Sequence, residues 1–212
     1  MQHSLPYFLI DAFTPTPFKG NSAPVVLLNP SQPPLSDETL QSIAIEFNLA
    51  ETAFLTPIDL SRGHFGLRWF TPTIEFPLCG HATLAAASVI FSHGQGGMLF
   101  QLPDGLTDVS FETMSGILKA RLLSDGRVEL DFPAGEVIAV EGTKLESIGK
   151  IIRKSFDKSD GLDIKYVGKG SGVSFQHYRL VEIDGVDLQT VFVDATVLVS
   201  HPDLSSEKVY LR

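Results

Sequence analysis

The segment from Cys79 to Phe91, CGHATLAAASVIF, constrains this chain more than any other. Its composition and spacing predict a helix starting near His81. The side chains are apolar or small nearly all round, so the helix has no obvious solvent face. Such a helix belongs in a core that surrounds it on several sides, and a sheet curled around it would provide that core. The apolar run from Leu84 to Phe91 is far shorter than the roughly 20 residues that span a bilayer, so no membrane partner is expected.

The remaining composition narrows the function classes. With 212 residues, 43% hydrophobic and 19% charged, the chain is too apolar for disorder and long enough for one large or two small domains. Eighteen glycines and 13 prolines without a repeating period favour turn-rich β structure. A net charge of -9 would repel a phosphate backbone, which argues against nucleic acid as a partner. The single cysteine, Cys79, cannot form an intrachain disulfide. The start MQHSLPYFLIDAF lacks a basic stretch leading into an apolar one, so a cytoplasmic protein is expected.

Around the central segment, strands are expected at Tyr7 to Phe13, Val25 to Leu28, Glu51 to Thr56 and His64 to Phe70, where Phe65, Leu67 and Trp69 share a face. Ser36 is a good N-cap for an amphipathic helix carrying Leu40, Ile43, Ala44 and Phe47. Further strands are expected at Met98 to Leu102, Val109 to Thr113, Ile117 to Leu123 and Arg127 to Phe132, the last two joined by the hairpin signal Asp125-Gly126. Pro133-Ala134-Gly135 punctuates the chain and predicts a boundary, with domains at 1–134 and 135–212. In the second, Thr143 to Phe156 reads as an amphipathic helix and Asp157 to Gly172 as a polar, Gly-rich stretch. Strand-like runs occupy Phe175 to Ile183 and Val191 to Val199. No second apolar helix follows, so this part reads as incomplete.

Chemistry concentrates in Pro77-Leu78-Cys79-Gly80-His81-Ala82-Thr83. The first N–H groups of a helix lack intrahelical partners and carry partial positive charge, so this turn can hold a carboxylate without Lys or Arg. Gly80 would let a ligand approach the backbone, and His81 would stand at the mouth with its imidazole neutral. Alternatively, His81 and Thr83 simply cap a buried helix. Cys79 is either a small buried hydrophobe or, at a helix N-terminus, a thiol of lowered pKa. Glu51 alternates with Ala53 and Leu55, and an inward face would desolvate its carboxylate and suit it to acid-base work. The alternative is an exposed strand-end glutamate. Gly20-Asn21 reads as a turn. His3, His64, His81, His93, His177 and His201 show no close ligand spacing, so no metal is expected. Neither a Walker loop nor a G-x-G-x-x-G motif occurs. Cys79 and His81, two apart on one turn, do not match a cysteine hydrolase.

In order, Ile10-Asp11-Ala12-Phe13, Phe18-Lys19-Gly20-Asn21, Asn48-Leu49-Ala50-Glu51-Thr52-Ala53-Phe54, Arg68-Trp69-Phe70-Thr71-Pro72 with Glu75, Pro77 to Ala85, and Glu129-Leu130-Asp131-Phe132-Pro133-Ala134 resemble the phenazine-biosynthesis (PhzF-like) isomerase family. The resemblance implies an α+β fold of two similar domains, each a β barrel wrapped around a central helix as in diaminopimelate epimerase, with the active site between them. It implies that Glu51 is a catalytic acid-base in a cofactor-free isomerisation of a small carboxylate-bearing substrate. His81 would hydrogen-bond that substrate, the amides of Gly80, Ala82 and Thr83 would hold its carboxylate, and Asn21 would touch it. Cys79 occupies the place of a catalytic thiol in epimerase relatives, but those use a cysteine pair, which disfavours a two-thiol racemase. Ser22-Ala23-Pro24 departs from the proline that many relatives carry directly after the asparagine.

The family's second domain normally supplies a Glu-Asp-Pro-x-x-Gly-Ser-Ala type segment, and none is found here. The sequence thus predicts one complete copy followed by a truncated one, with apolar faces that dimerisation would cover. Two functions are compatible with it: a PhzF-like isomerase, or an inactive family member serving as a ligand-binding or interaction module.

Overall fold

Small side chains let strands approach a helix closely, and the helix α2 (Gly80–His93) shows the result. Ala82, Thr83, Ala85, Ala86, Ala87, Val89, Ile90 and Phe91 are all buried. The computed structural model describes residues 4–94, 100–157, 160–171, 175–176, 178–185 and 208–211. The chain divides into two compact units, Met1–Pro133 and Ala134–Arg212.

In the first unit, β1 (Tyr7–Ala12), β2 (Asn21–Leu27), β3 (Thr52–Asp59), β4 (His64–Phe70), β6 (Asp108–Thr113), β7 (Gly116–Leu122) and β8 (Val128–Asp131) form one sheet in that order, with the two-residue β5 (Glu75–Phe76) on β4. α2 packs against β1, β2 and β3 at one end of this order and β7 and β8 at the other. The sheet therefore curls around the helix as a half-barrel. The helix is not enclosed completely, because His81, Leu84 and Ser88 are only half-buried and Ser92 is exposed. These four lie on one stripe at helical spacing. Leu84 and Ser88 floor a cleft of about 600 Å³ whose walls include Ala12 and Phe13 on one side and Arg127 and Val128 on the other.

The outer face of β2 to β4 carries α1 (Asp37–Phe47). Ser36 caps it by accepting the Thr39 N–H at 3.2 Å. Leu40 and Ala44 pack with Val26, Phe54 and Phe70, the two phenylalanine rings meeting edge to face with centroids 5.5 Å apart. Phe54 faces α1, so Ala53 and Leu55 point the other way, toward α2. Central strand β3 is thus buried on both faces.

Most expected elements form, with three differences. β2 starts at Asn21 rather than Val25 and contains Pro24. This is tolerated because β2 meets β3 only from Val25 onward, so the proline interrupts no ladder on that side. Leu102, placed in a strand by its neighbours' composition, lies in a loop and donates its N–H to the Gly94 carbonyl at 3.3 Å. Residues 95–99, which include Met98, lie outside the described residues.

The third difference is in the second unit. The polar stretch after Asp157 contains β10 (Asp163–Gly170), paired with β9 (Val137–Ala139) and β11 (Tyr178–Asp184), while β12 (Lys208–Leu211) runs parallel to β11. Glycines hide this strand in the sequence, yet packing demands them. A Cβ on Gly170 would fall 2.2 Å from the Phe175 carbonyl oxygen, and on Gly168 2.2 Å from a Val137 methyl. α3 (Gly142–Ser155) lays Ile148, Ile151 and Ile152 inward, in a core with Phe156, Leu162, Val167 and Val181. The run expected at Val191 to Val199 lies outside the described residues. Among the described residues no helix is long and apolar enough to cross a membrane.

Leu40 is 2% exposed and is the aliphatic centre of the α1 contact. Leu40→Ala is expected to cost about 3 kcal/mol through lost transfer and residual cavity, checked by urea unfolding of the whole chain.

Candidate active site

Asn48 ends α1 in the left-handed conformation, with φ of 50°, and its N–H returns to the Ala44 carbonyl. That reversal leads the chain within three residues to the start of β3. Glu51 immediately precedes this strand, on the face of Ala53 and Leu55. It has 0% exposure, which excludes the exposed strand-end alternative. The tight αL turn brings the carboxyl under the curled sheet before any residue could lift it to the surface.

The second component arrives through β4 and β5. Trp69 pairs with Ala53 on one side and Phe76 on the other, so these three share a cross-strand row on the α2-facing side. Glu51 lies two residues before that row along β3, and Cys79 three residues after it along the chain. β4 thereby joins, through one cross-strand row, the strand that Glu51 precedes and the strand that leads into α2. Pro77 is fixed by the Ser115 hydroxyl, which donates to its carbonyl at 2.7 Å.

At the helix start, Cys79 is the N-cap but supplies no side-chain cap bond. Its Sγ lies 3.3 Å from His81 Nδ1. Burial pushes the thiol up to about 12, outweighing the backbone N–H groups of Ala82 and His81 that favour the thiolate. The lowered pKa expected from the helix terminus is therefore corrected: desolvation dominates because the sulfur points into the core. Burial also holds the His81 imidazole below its ordinary value, so the ring is neutral near pH 7, as expected from the sequence. His81 Nε2 is shielded from solvent without a hydrogen-bond partner in the structure.

Thr83 differs from its expected role. Its hydroxyl and its N–H both donate to the Cys79 carbonyl, so it closes the first turn of α2. The amides without an intrahelical carbonyl are those of Gly80, His81 and Ala82, of which those of His81 and Ala82 face the Cys79 sulfur. A Cβ on Gly80 would meet only Phe132, at an ordinary 3.7 Å, so packing alone does not require glycine there. Two residues given no site role by the sequence also place polar atoms without partners in the interior: Trp69 Nε1 and Thr52 Oγ1. Both are letters of otherwise apolar strand patterns, and nothing in their spacing marks them.

Asn21 is exposed and opens β2 opposite Ala12. Phe8 stacks on His93 at the far end of α2 with centroids 4.5 Å apart, so the Ala12 to Asn21 turn lies toward the helix start. Asp11 organises the turn by accepting the Phe18 N–H at 2.7 Å and the Ser22 hydroxyl. Those bonds, Ser22 first, hold its carboxyl below the usual range. Ser22, the departure from the family pattern, is thus a structural partner of Asp11. Gly20 is dictated by contact, since a Cβ would lie 2.4 Å from the Ala12 carbonyl oxygen. No cluster of three or more His, Cys, Asp or Glu side chains suited to a metal occurs among the described residues.

The model of the phenazine biosynthesis-like protein family matches residues 10–173. The chain belongs to that family. Phenazine biosynthesis-like domain-containing protein 2 of Mus musculus is 50% identical over 134 residues, covering 61% of this chain and 42% of that protein. A protein of Halalkalibacterium halodurans named as an uncharacterized isomerase is 38% identical over 183 residues, covering 84% of this chain and 57% of that one. The chain spans about half the length of these relatives. Among solved structures, a PhzF-family protein of Enterococcus faecalis superposes with a TM-score of 0.64 at 29% identity, covering 94% of this chain and 65% of that one. A probable proline racemase from Agrobacterium radiobacter, at 13% identity and a TM-score of 0.54 over 84% of this chain and 52% of that one, shares the fold alone. The α+β half-barrel around a central helix is thus the PhzF and epimerase type of fold, in a family that includes named isomerases.

Two outcomes are expected from this electrostatic arrangement. Cys79 should alkylate slowly in the native chain at pH 8, and its rate should keep rising above pH 9, because the folded thiol titrates at about 12; iodoacetamide labelling followed by mass measurement checks this. His81 is neutral in the fold below the pH at which it protonates in the unfolded chain. Between its ordinary value of 6.5 and its lowered folded value, the unfolded state binds more protons, so stability falls as pH falls through that window. His81→Asn should remove that acid-side slope in urea unfolding measured from pH 7.5 to 4.5.

Proposed function

We propose that the chain carries the proton-transfer half-site of a cofactor-free isomerase acting on a small carboxylate-bearing metabolite. The observation that carries this reading is the complete burial of Glu51 immediately before β3, a strand that packs against α2. A carboxyl removed from water can alternate between base and acid at modest cost, because its neutral form is not penalised by burial. Glu51 would take a proton from a substrate carbon, with the electron pair delocalised toward the substrate's unsaturated system. The resulting carboxylic acid would then return that proton to another carbon, leaving no net change in composition.

The amides of Gly80, His81 and Ala82 supply oriented dipoles for the substrate carboxylate without a cationic side chain. The neutral imidazole of His81 turns an unpaired Nε2 to the interior, available to a substrate oxygen. Asn21, at the exposed turn, would close on the ligand from β2. Thr83 holds the helix start rather than the substrate, and Cys79, a single high-pKa thiol, is a packing residue. Residues 135–212 would represent part of a second copy of the domain.

A second reading has its own observation. His81 Nε2 is without a hydrogen-bond partner in the structure, and that nitrogen with the amides at the start of α2 could hold a carboxylate without any proton transfer. On that reading the chain binds small carboxylates without turning them over. Solvent deuterium exchange separates the two. Exchange into a turned-over substrate that vanishes in Glu51→Gln, with the folded state retained by circular dichroism, supports the isomerase. Full exchange in Glu51→Gln removes Glu51 from the mechanism, and carboxylate binding with no exchange in the unmutated chain supports the binding module.

A further inference from the structure

The start of α2 has no cap of its own, so something else must fix where His81 and the open amides stand. Upstream of it, β5 is only two residues long and would be a weak anchor by its ladder alone. Its first residue, Glu75, is gripped in bidentate fashion by Arg68, Nε to Oε1 and Nη2 to Oε2, both at 2.7 Å. The third guanidinium nitrogen, Nη1, lies 2.9 Å from Asp37 Oδ1 in the first turn of α1. The guanidinium carbon also sits 5.0 Å from the centroid of the Phe70 ring. From α1, Gln41 Nε2 donates to the Thr71 carbonyl at 2.8 Å, and Thr71 Oγ1 accepts the N–H groups of Thr73 and Ile74. The loop between β4 and β5 is thereby tied to α1 through Thr71.

We infer that Arg68 and Glu75 are positioning residues for the proposed active site, a clamp on the outer sheet face that sets the placement of the Cys79 to Ala82 turn. The geometry supports this in two ways. Arg68 sits on β4 beside Phe54 of β3, the strand that Glu51 precedes, while Glu75 lies four residues before Cys79. One ion pair therefore fastens the strand beside β3 to the strand that leads into α2. A planar fork meeting a carboxylate through two parallel bonds also fixes orientation as well as distance, which a lysine could not do. The inference deepens the reading given under Proposed function and rests on it for the reason the placement matters.

Cys79, the only thiol, reports the clamp without any substrate. Glu75→Gln and Arg68→Lys are expected to raise the native-state alkylation rate of Cys79 about tenfold, the effect of losing a charge-assisted hydrogen-bonded pair from a local opening step. In the same variants the His81 imidazole, followed by NMR, should titrate closer to its ordinary value as the turn loosens. Asp108→Asn, which breaks the exposed Arg121–Asp108 ion pair of the same unit, should leave both readouts at their unmutated values. Wild-type labelling and titration in both clamp variants, or equal acceleration in Asp108→Asn, overturn the inference; if Glu75→Gln does not fold, Arg68→Lys decides. Neither readout involves turnover, so loss of the clamp effect and loss of the Glu51 mechanism are separate results.

Discussion

The close approach of α2 to the strands around it is the contact on which the rest depends. Ala82, Ala85, Ala86 and Ala87 each have no exposed surface, and their short side chains allow a sheet to bend around the helix rather than lie flat on one face of it. The curl brings strands from both ends of the sheet order to the same helix. A helix with large apolar residues at these positions would push the strands apart and open the interior in which Glu51 is buried.

Two effects compete at the tip of that helix, and they do not have the same winner at every atom. Oriented backbone amides favour negative charge, which would ionise a thiol, yet Cys79 lies so deep that desolvation prevails. The amides themselves are polar groups that a bound carboxylate could satisfy, since an anion arriving there brings its own charge to meet them. The same burial that silences the thiol keeps His81 neutral and so leaves it able to share a proton in a hydrogen bond rather than present a cation. A dry environment thus separates the roles of three neighbouring residues: Cys79 packs, Thr83 closes the turn, and His81 remains available.

Much of this was legible in the chain itself. The all-round apolar helix, the Ser36 cap, the Asp125-Gly126 hairpin and the alternating strand around Phe65, Leu67 and Trp69 all follow from local patterns whose period survives folding. β10 was not legible, because Gly168 and Gly170 dilute its alternation, and their reason is a steric contact with Val137 and Phe175 that no local pattern contains. Leu102 failed in the opposite direction, its apolar neighbourhood suggesting a strand where the chain instead turns back to Gly94. At the site, Glu51 and His81 could be named from sequence, whereas the polar atoms of Trp69 and Thr52 could not, since their partnerless burial depends on what surrounds them.

The sequence by itself determined the elements, the residue types at the helix start and the membership of a family. Each of these depends on side-chain size, backbone preference or order along the chain. Tertiary structure decided whether Glu51 faces water or the interior, whether the thiol is acidic, and which amides stay open, because each depends on solvent exclusion by residues distant in sequence. Desolvation is a property of the surroundings rather than of the residue. The burial of a single carboxyl was therefore decided only when the strands and α2 were packed together.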